Sequence, residues 1–377
     1  YRMASVTANL SVPWGAGMLI NILNHTSDGS TGVDRSQAPP CTMCCCGLLK
    51  HTLTVVFMVS LAFAIVIGNV VTLTVFMKTR QSRTPQDLKV SLAIADMIVG
   101  MVVVPFSVYT EISIMVNSTP PMWYQSGSNV SAQKISSSWQ PCMLIGPLFA
   151  GCTFVSISTI FLMTVERSVA ILWPLQKDTL VTRRRTLLLI LASWTSSFML
   201  AIAPLILSES FTLEYNECSR MCNYVPLLVG YQLPADTNIL LLFPVFDFTL
   251  LGFTLIVNIL SFITICRYTR KRKLLSEGLE GGTSTCSQKP AFSDIKAAKT
   301  IGILTFTFAA SFSPIAIFVL GNIVGYTWCN FSFFAFWILT GNSCCNVIIY
   351  SIRDRRFRRG LSIIFYRDRS PQNSEKS

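Results

Sequence analysis

The sequence predicts an all-α membrane protein: a bundle of seven transmembrane helices with an extracellular N-terminus and a short cytoplasmic amphipathic helix after the seventh span. Three observations lead there. Apolar residues make up 51% of the 377 and charged residues only 13%, about half the charged share of a soluble domain. Seven stretches reach the ~20 mostly apolar residues that a spanning helix needs, at about 53–78, 87–113, 140–172, 186–208, 238–266, 295–323 and 331–352. Basic residues gather on alternate loops, which orients the bundle. Membrane-barrel strands would alternate and run to about 10 residues, and these segments are too long and too uniformly apolar for that.

The elements follow in order. Residues 1–50 form a polar tail with the cluster Cys41-Thr-Met-Cys-Cys-Cys46; it begins on Tyr1 rather than Met, as a processed chain or a fragment would. The cluster lacks a histidine or second cysteine pair at metal spacing, so disulfide use is expected rather than zinc. The membrane-spanning core is 51–352, followed by an interfacial helix at 353–360 and a tail at 361–377. Lys78, Arg80 and Arg83 follow span one, and Lys177 and Arg183 to Arg185 follow span three. Arg267 to Lys273 follow span five and Arg353 to Arg359 follow span seven. All four clusters fall on one side, which is therefore cytoplasmic. Sequons at Asn9, Asn24, Asn117, Asn129 and Asn330 all fall on the other side, as glycosylation requires; Asn330 stands close to the membrane.

The net charge of +12 is thus mostly a topology signal. Split among short juxtamembrane loops, it fits lipid head groups and argues against nucleic acid. Enzyme chemistry has no support: the two histidines, His25 and His51, both fall outside, with no nucleophile–base arrangement. No internal repeat marks the inverted plan of many transporters. Cys152, Cys266, Cys344 and Cys345 lie in or beside spans and read as small packing residues.

One residue stands out in span two. Asp96 interrupts the apolar run Leu88–Phe106, and a carboxylate there costs roughly 2.5–3.5 kcal/mol on insertion scales. Such residues usually face a bundle interior with a partner and a function.

Motifs on separate spans then fall into a known order. Gly68-Asn69-Val70 lies on span one and Ser91-Leu-Ala-Ile-Ala-Asp96 on span two. Cys142 opens span three and Glu166-Arg167 closes it, about 37 Å away along a helix. Trp194 and Pro204 mark span four, Pro314 span six, and Asn346-Val-Ile-Ile-Tyr350 span seven. Over residues 53–360 the chain resembles the rhodopsin-like (class A) G-protein-coupled receptors. Span two and Lys296-Ala-Ala-Lys-Thr-Ile-Gly302 look most like the aminergic branch.

The resemblance implies a plasma-membrane receptor that passes an extracellular signal to a heterotrimeric G protein by outward movement of the sixth helix. It implies a structural sodium site at Asp96 with Ser156, Asn342, Ser343 and Asn346, and Asn69 alongside. One carboxylate with several neutral oxygens suits a small hard cation; a hydrogen-bonded polar core that fixes helix packing is the alternative. Arg167 is expected to pair with Glu166 and with Asp294 at the foot of span six, a clamp released as span six swings about Pro314. An ordinary interfacial ion pair is the alternative. Pro174 resembles the family's G-protein contact, and Tyr350 closes the span-seven motif. In 353–360, Phe357 is expected to turn toward lipid. An outer disulfide is implied from Cys142 to Cys218 or Cys222, with Cys222 preferred and the cysteine left over free to pair with the 41–46 cluster.

Departures from the pattern concentrate around the ligand. Phe149 stands where aminergic receptors anchor the amine with aspartate. Phe312 occupies the toggle tryptophan's position, Ile315 and Ala316 replace the aromatic pair after Pro314, Val347 replaces a proline, and Asn258 or Ile259 replaces the span-five tyrosine. Thr340 stands where opsins carry the retinal lysine. The pocket positions Phe149, Thr153, Phe312, Ile315, Val319, Phe336, Trp337 and Thr340 read as mainly apolar, with Asp247 as a displaced counter-ion or a polar-core residue. The expected ligand is amine-like or an apolar small molecule. Glu111, near the outer end of span two, is expected to be solvated. A constitutively active or weakly coupling scaffold without agonist is the alternative function, and a transporter or channel the remote one.

Overall fold

The computed structural model describes residues 42–78, 83–116, 140–173, 175–208, 211–226, 239–277, 292–324 and 328–366. Contacts divide the chain into Tyr1–Gly47 and Leu48–Ser377, and the bundle is the second unit. The first span is α1 (Thr42–Lys78); the second is α2 (Arg83–Ile98) and α3 (Val104–Val116), joined by a π segment at Val99–Val103. The third is α4 (Cys142–Leu172), then a short α5 (Lys177–Leu180) and the fourth span, α6 (Arg183–Leu207). A hairpin of β1 (Phe211–Asn216) and β2 (Met221–Pro226) precedes the fifth span, α7 (Leu242–Glu277). The sixth is α8 (Phe292–Ile323), the seventh α9 (Cys329–Arg353), and α10 (Arg355–Tyr366) follows. Six helices among the described residues are long and apolar enough to cross a membrane, and α8 adds the shorter apolar stretch Thr305–Gly321.

Burial ranks the spans. Of each most apolar window, 67% is buried in the third span but only 17% in the first and 22% in the fourth and fifth. The third span is therefore the axis around which the others pack. Phe63, Ile67 and Met199 are 60–70% exposed, and a face of that kind is stable against hydrocarbon rather than water.

The π segment has a local cause. Pro105 lacks an N–H, so it cannot donate to the carbonyl four residues back, and the preceding Val104 N–H bonds Val99 O, five back. The extra residue per turn resets the face that the rest of the span presents. Beyond it Ser107, Thr110 and Glu111 are buried.

The hairpin seats in the bundle by strand alternation. Phe211, Leu213 and Tyr215 point inward and the residues between are half-buried, the period-two pattern of a one-sided sheet. Gly146 makes the close approach possible: a Cβ there would lie 2.6 Å from Leu213 Cδ2. At the turn, Asn216 Oδ1 accepts from the backbone N–H groups of Cys218 at 2.8 Å and Ser219 at 3.1 Å. Arg220 then takes φ of 58°, a left-handed conformation that costs a non-glycine residue roughly 1–2 kcal/mol.

Two disulfides staple the hairpin, Cys142–Cys222 to the start of the third span and Cys218–Cys329 to the start of the seventh. The first takes the preferred partner. The second corrects the expectation that the remaining hairpin cysteine pairs with the 41–46 cluster: the turn carries Cys218 to Cys329 at the head of α9, and the bond occupies its thiol. Cys152, Cys266, Cys344 and Cys345 are free; Cys152 is buried and Cys344 and Cys345 half-buried, as expected of packing residues, whereas Cys266 is exposed.

At the opposite end, α10 corrects a second expectation. It runs from Arg355 to Tyr366, past the expected 360. Phe357 does not face lipid: it is 0% exposed, with its ring 5.7 Å from Phe76 and 6.1 Å from Tyr350. The amphipathic face is turned onto the bundle, where two aromatics already offer an apolar seat. Lys89 lies 4.9 Å over both Phe76 and Tyr350 and 2.8 Å from Asp354, so a cation caps the aromatic group.

Candidate functional site

Three groups of side chains lie along the bundle axis. The middle one surrounds Asp96, 2% exposed on α2. Asn346 Nδ2 donates to Asp96 Oδ2 at 2.8 Å. Asn69 does not reach it: its Nδ2 donates to Ser343 O at 3.1 Å and Ile65 O at 2.9 Å, and its Oδ1 is buried without a partner. Ser156 donates back to Cys152 O at 3.0 Å. Asp96, Ser156, Asn342 and Ser343 line one small cavity together with Phe149, Thr153 and Thr340. Its ≈ 10 Å³ of open space is about the room one water needs. A carboxylate, hydroxyls and amide oxygens around a space of that size fit a small hard cation by donor type and by dimension. Among the described residues no group of three or more His, Cys, Asp or Glu could hold a metal.

Above this hub the hairpin fills the space where the sequence places a ligand. Trp337 Nε1 donates to Ser219 O at 2.9 Å. Thr340 donates to Phe336 O at 2.8 Å and stands 4.0 Å from Met221 Sδ. Phe149 and Phe336 lie with ring centroids 6.2 Å apart. Phe312 stacks on Phe308 at 6.2 Å and meets Phe248 edge-on at 5.8 Å. Ile315 is 7% exposed and Val319 packs against the same core. The nine expected pocket positions thus separate: Phe149, Thr153 and Thr340 share the cavity with the hub, and Trp337 walls a different groove.

Asp247 belongs to neither. It is 0% exposed on the fifth span, and both carboxylate oxygens lack a hydrogen-bond partner. Pro244, Asp247, Leu251, Thr254 and Ser261 form the buried stripe of that helix, at the i, i+3, i+4 spacing of one face. Next to Asp247, the Phe246 ring lies 5.5 Å from Phe154 on the third span.

Glu111 departs most from its expected place. It is 0% exposed, not solvated. Tyr215 Oη donates to its Oε1 at 2.8 Å, and Arg220 Nη1 lies 2.9 Å from Oε1 and 3.0 Å from Oε2. His51 Nδ1 is 3.1 Å from Oε2. The reset after the π segment turns Glu111 inward, and the hairpin turn delivers Arg220 to it. Burial first, then the adjacent Glu111 carboxylate, pushes the Tyr215 phenol well above its ordinary range, which keeps the donor protonated. Burial also raises the Glu214 carboxyl on the same strand.

At the end opposite the hairpin, Arg167 Nε pairs with Glu166 Oε2 at 3.1 Å. Glu166 is 5% exposed, and its Oε1 has no partner. The Asp294 side chain, the second expected partner, lies outside the described residues, as do Pro174 and the sequons at Asn9, Asn24, Asn117 and Asn129. Tyr350 is 1% exposed and its hydroxyl is unpartnered. Neighbouring polar contacts tie the spans together there: Ser168 to Ser261 at 2.8 Å, Asn258 to Thr305 at 3.3 Å, and Trp194 Nε1 to Ser91 Oγ at 2.9 Å.

Residues 68–350 match the 7 transmembrane receptor (rhodopsin family). Among curated proteins the chain is 26% identical over 362 residues to a probable glycoprotein hormone G-protein coupled receptor of Anthopleura elegantissima, covering 91% of this chain and 34% of the relative. It is 28% identical over 326 residues to trace amine-associated receptor 13c of Danio rerio, covering 83% of this chain and 86% of the relative. It is 24% identical over 352 residues to a Gq-coupled rhodopsin of Mizuhopecten yessoensis, covering 89% and 62%. The chain therefore spans about a third of the hormone receptor's length and most of the trace-amine receptor's.

Proposed function

Because the chain belongs to the rhodopsin family of seven-transmembrane receptors, we propose that it passes a signal from the hairpin end of the bundle to a heterotrimeric G protein at the Arg167 end. It is a G-protein-coupled receptor of the plasma membrane and not an enzyme. In this reading the hairpin end is extracellular, in keeping with the sequons on that side and the basic clusters on the other.

The observation that carries the proposal is the Glu166–Arg167 pair. A half-satisfied buried carboxylate held by one guanidinium is a resting contact that a better partner can break. In this reading Arg167 also pairs with Asp294 at the foot of the sixth span, and its release lets that foot move outward about Pro314, whose missing N–H weakens the helix there. A cavity for a G-protein segment then opens between the third and sixth spans. A sodium ion held by Asp96, Ser156, Asn342 and Ser343 would stabilise the resting arrangement by its differential affinity.

Of the two ligand classes, an amine has a buried acid with both oxygens unpartnered to meet, Asp247, and an apolar molecule has the aromatic surroundings of Phe149 and Phe336. The test is GDP/GTP exchange on a panel of G proteins in membranes containing the receptor. Exchange above empty membranes that Arg167→Ala abolishes supports the reading, and exchange unchanged by Arg167→Ala refutes it.

A further inference from the structure

An apolar groove of ≈ 440 Å³ opens away from the mouth, on the outer flank of the bundle between the first and seventh spans. That volume is within the roughly 300–1,000 Å³ of small-molecule sites. Leu53, Thr54 and Phe57 form one wall, and Phe333, Phe334 and Ile338 the other, with buried Trp337 between.

Its origin lies in how the first span packs. Near its middle, α1 is held tightly: a Cβ on Gly68 would lie 3.0 Å from Val347 Cγ2. Toward the hairpin end aromatic rings bridge to the seventh span, with the Phe57 centroid 5.8 Å from that of Trp337 and 6.4 Å from that of Phe333. Bulky rings hold the helices apart there and leave the gap.

The chemistry of the gap selects its occupant. Six of the seven lining residues are apolar, and Leu53, Phe334 and Ile338 are 45–60% exposed on the face turned to the bilayer. The occupant is therefore a hydrocarbon chain. Thr54 cannot recruit a polar group well, since its hydroxyl is donated to Lys50 O at 2.9 Å. Lys50 is exposed and lies one turn beyond the groove on the same helix face, four residues before Thr54 and three before Leu53. A cation at the polar end of an apolar slot matches an anionic head on a single chain.

We infer that the groove between the first and seventh spans binds a long-chain fatty acid, its chain along Phe57, Phe333 and Trp337 and its carboxylate toward Lys50. Trp337 links this site to the hairpin: the indole that walls the groove also donates to Ser219 O. A chain pressed against Trp337 acts on the hairpin without passing the stapled mouth. This names the ligand class of the proposed receptor and rests on that reading only for its signalling consequence.

The test uses the full chain in phosphatidylcholine nanodiscs with a diazirine-bearing palmitate, mapping the labelled peptides by mass spectrometry. Labelling is expected within 49–57 and 333–338, blocked by excess palmitate but not by methyl palmitate. Thr54→Trp and Ile338→Trp fill the groove from a half-buried position and one 45% exposed, and each should cut the blockable labelling at least tenfold. Lys50→Gln should weaken palmitate's competition about fivefold, the effect of one basic residue at a membrane surface. Labelling spread over all bilayer-facing helices, blocked equally by the methyl ester, or retained in both tryptophan variants would mean ordinary surrounding lipid and would overturn the inference. No G protein enters this assay, so a silent exchange assay and an empty groove are separate results.

Discussion

Replacing Arg220 tests the hairpin lock most sharply, because two opposing effects meet at one residue. Its guanidinium bonds both oxygens of Glu111, which is 0% exposed, while its backbone is held at φ of 58°. Removing one partner of a buried ion pair costs about 3–5 kcal/mol. Tyr215 and His51 remain on the carboxylate, so Arg220→Ala should fall near 3 kcal/mol. Arg220→Gly loses the same pair but relieves roughly 1 kcal/mol of left-handed strain, and should therefore be the milder change. At roughly 2 °C per kcal/mol for a chain of this size, the apparent melting temperature should drop by about 6 °C for alanine and about 4 °C for glycine. Glu111→Gln combined with Arg220→Met removes both charges and should cost less than Arg220→Ala alone. The assay is thermal unfolding of purified receptor followed by thiol-reactive dye, completed as a double-mutant cycle. A coupling energy between Glu111 and Arg220 under about 0.5 kcal/mol, or a glycine variant less stable than alanine, would refute the argument.

Four further outcomes are expected. Cys218→Ser or Cys329→Ser opens a loop of 111 residues and should destabilise by up to about 4–5 kcal/mol on the loop-entropy estimate, with the surviving thiol becoming reactive to maleimide on intact cells. Asp96→Asn should remove any sodium dependence of basal exchange, read by substituting potassium for sodium; dependence that persists would exclude Asp96 as the ion's ligand. Phe357→Ala should cost about 3–5 kcal/mol as a core deletion, where a lipid-facing phenylalanine would cost far less; the melting temperature distinguishes them. Glu214 has its folded pKa raised by burial, so its contribution is full below the ordinary glutamate pKa and is lost as pH rises through the folded value. Glu214→Gln should accordingly flatten the fall in melting temperature above about pH 4.3.

Most of the architecture is written in hydrophobic run length, which is why the seven segments and their order were legible. Asp96 was legible for a related reason: a charge inside such a run has few explanations, and Asn346 carries its partner in a separate motif. Glu111 was not. At the end of a span a carboxylate reads as solvated, and what buries it comes from residues 104 and 109 positions away. Its orientation also depends on the π segment, a one-residue offset that no hydrophobic period reveals. Phe357 failed differently. The amphipathic pattern gave the correct apolar face of α10, but a pattern does not say whether that face meets lipid or the Phe76 and Tyr350 rings. The cysteines were legible as a set, while the pairing of Cys218 with Cys329 depended on where the hairpin turn lies.

The two staples, four residues apart on one short ribbon, have a mechanical consequence. A covalent path runs from the head of the third span through Cys222 and Cys218 to the head of the seventh, and it cannot stretch. The Cα pairs across the bonds are 5.4 and 4.8 Å apart, and four extended residues add about 14 Å. The heads of these two helices are therefore leashed within about 24 Å whatever the receptor binds. Dilation on that side has a fixed ceiling, so large movements must be made by helices outside the leash, and an oxidising surroundings sets how wide this protein can gape.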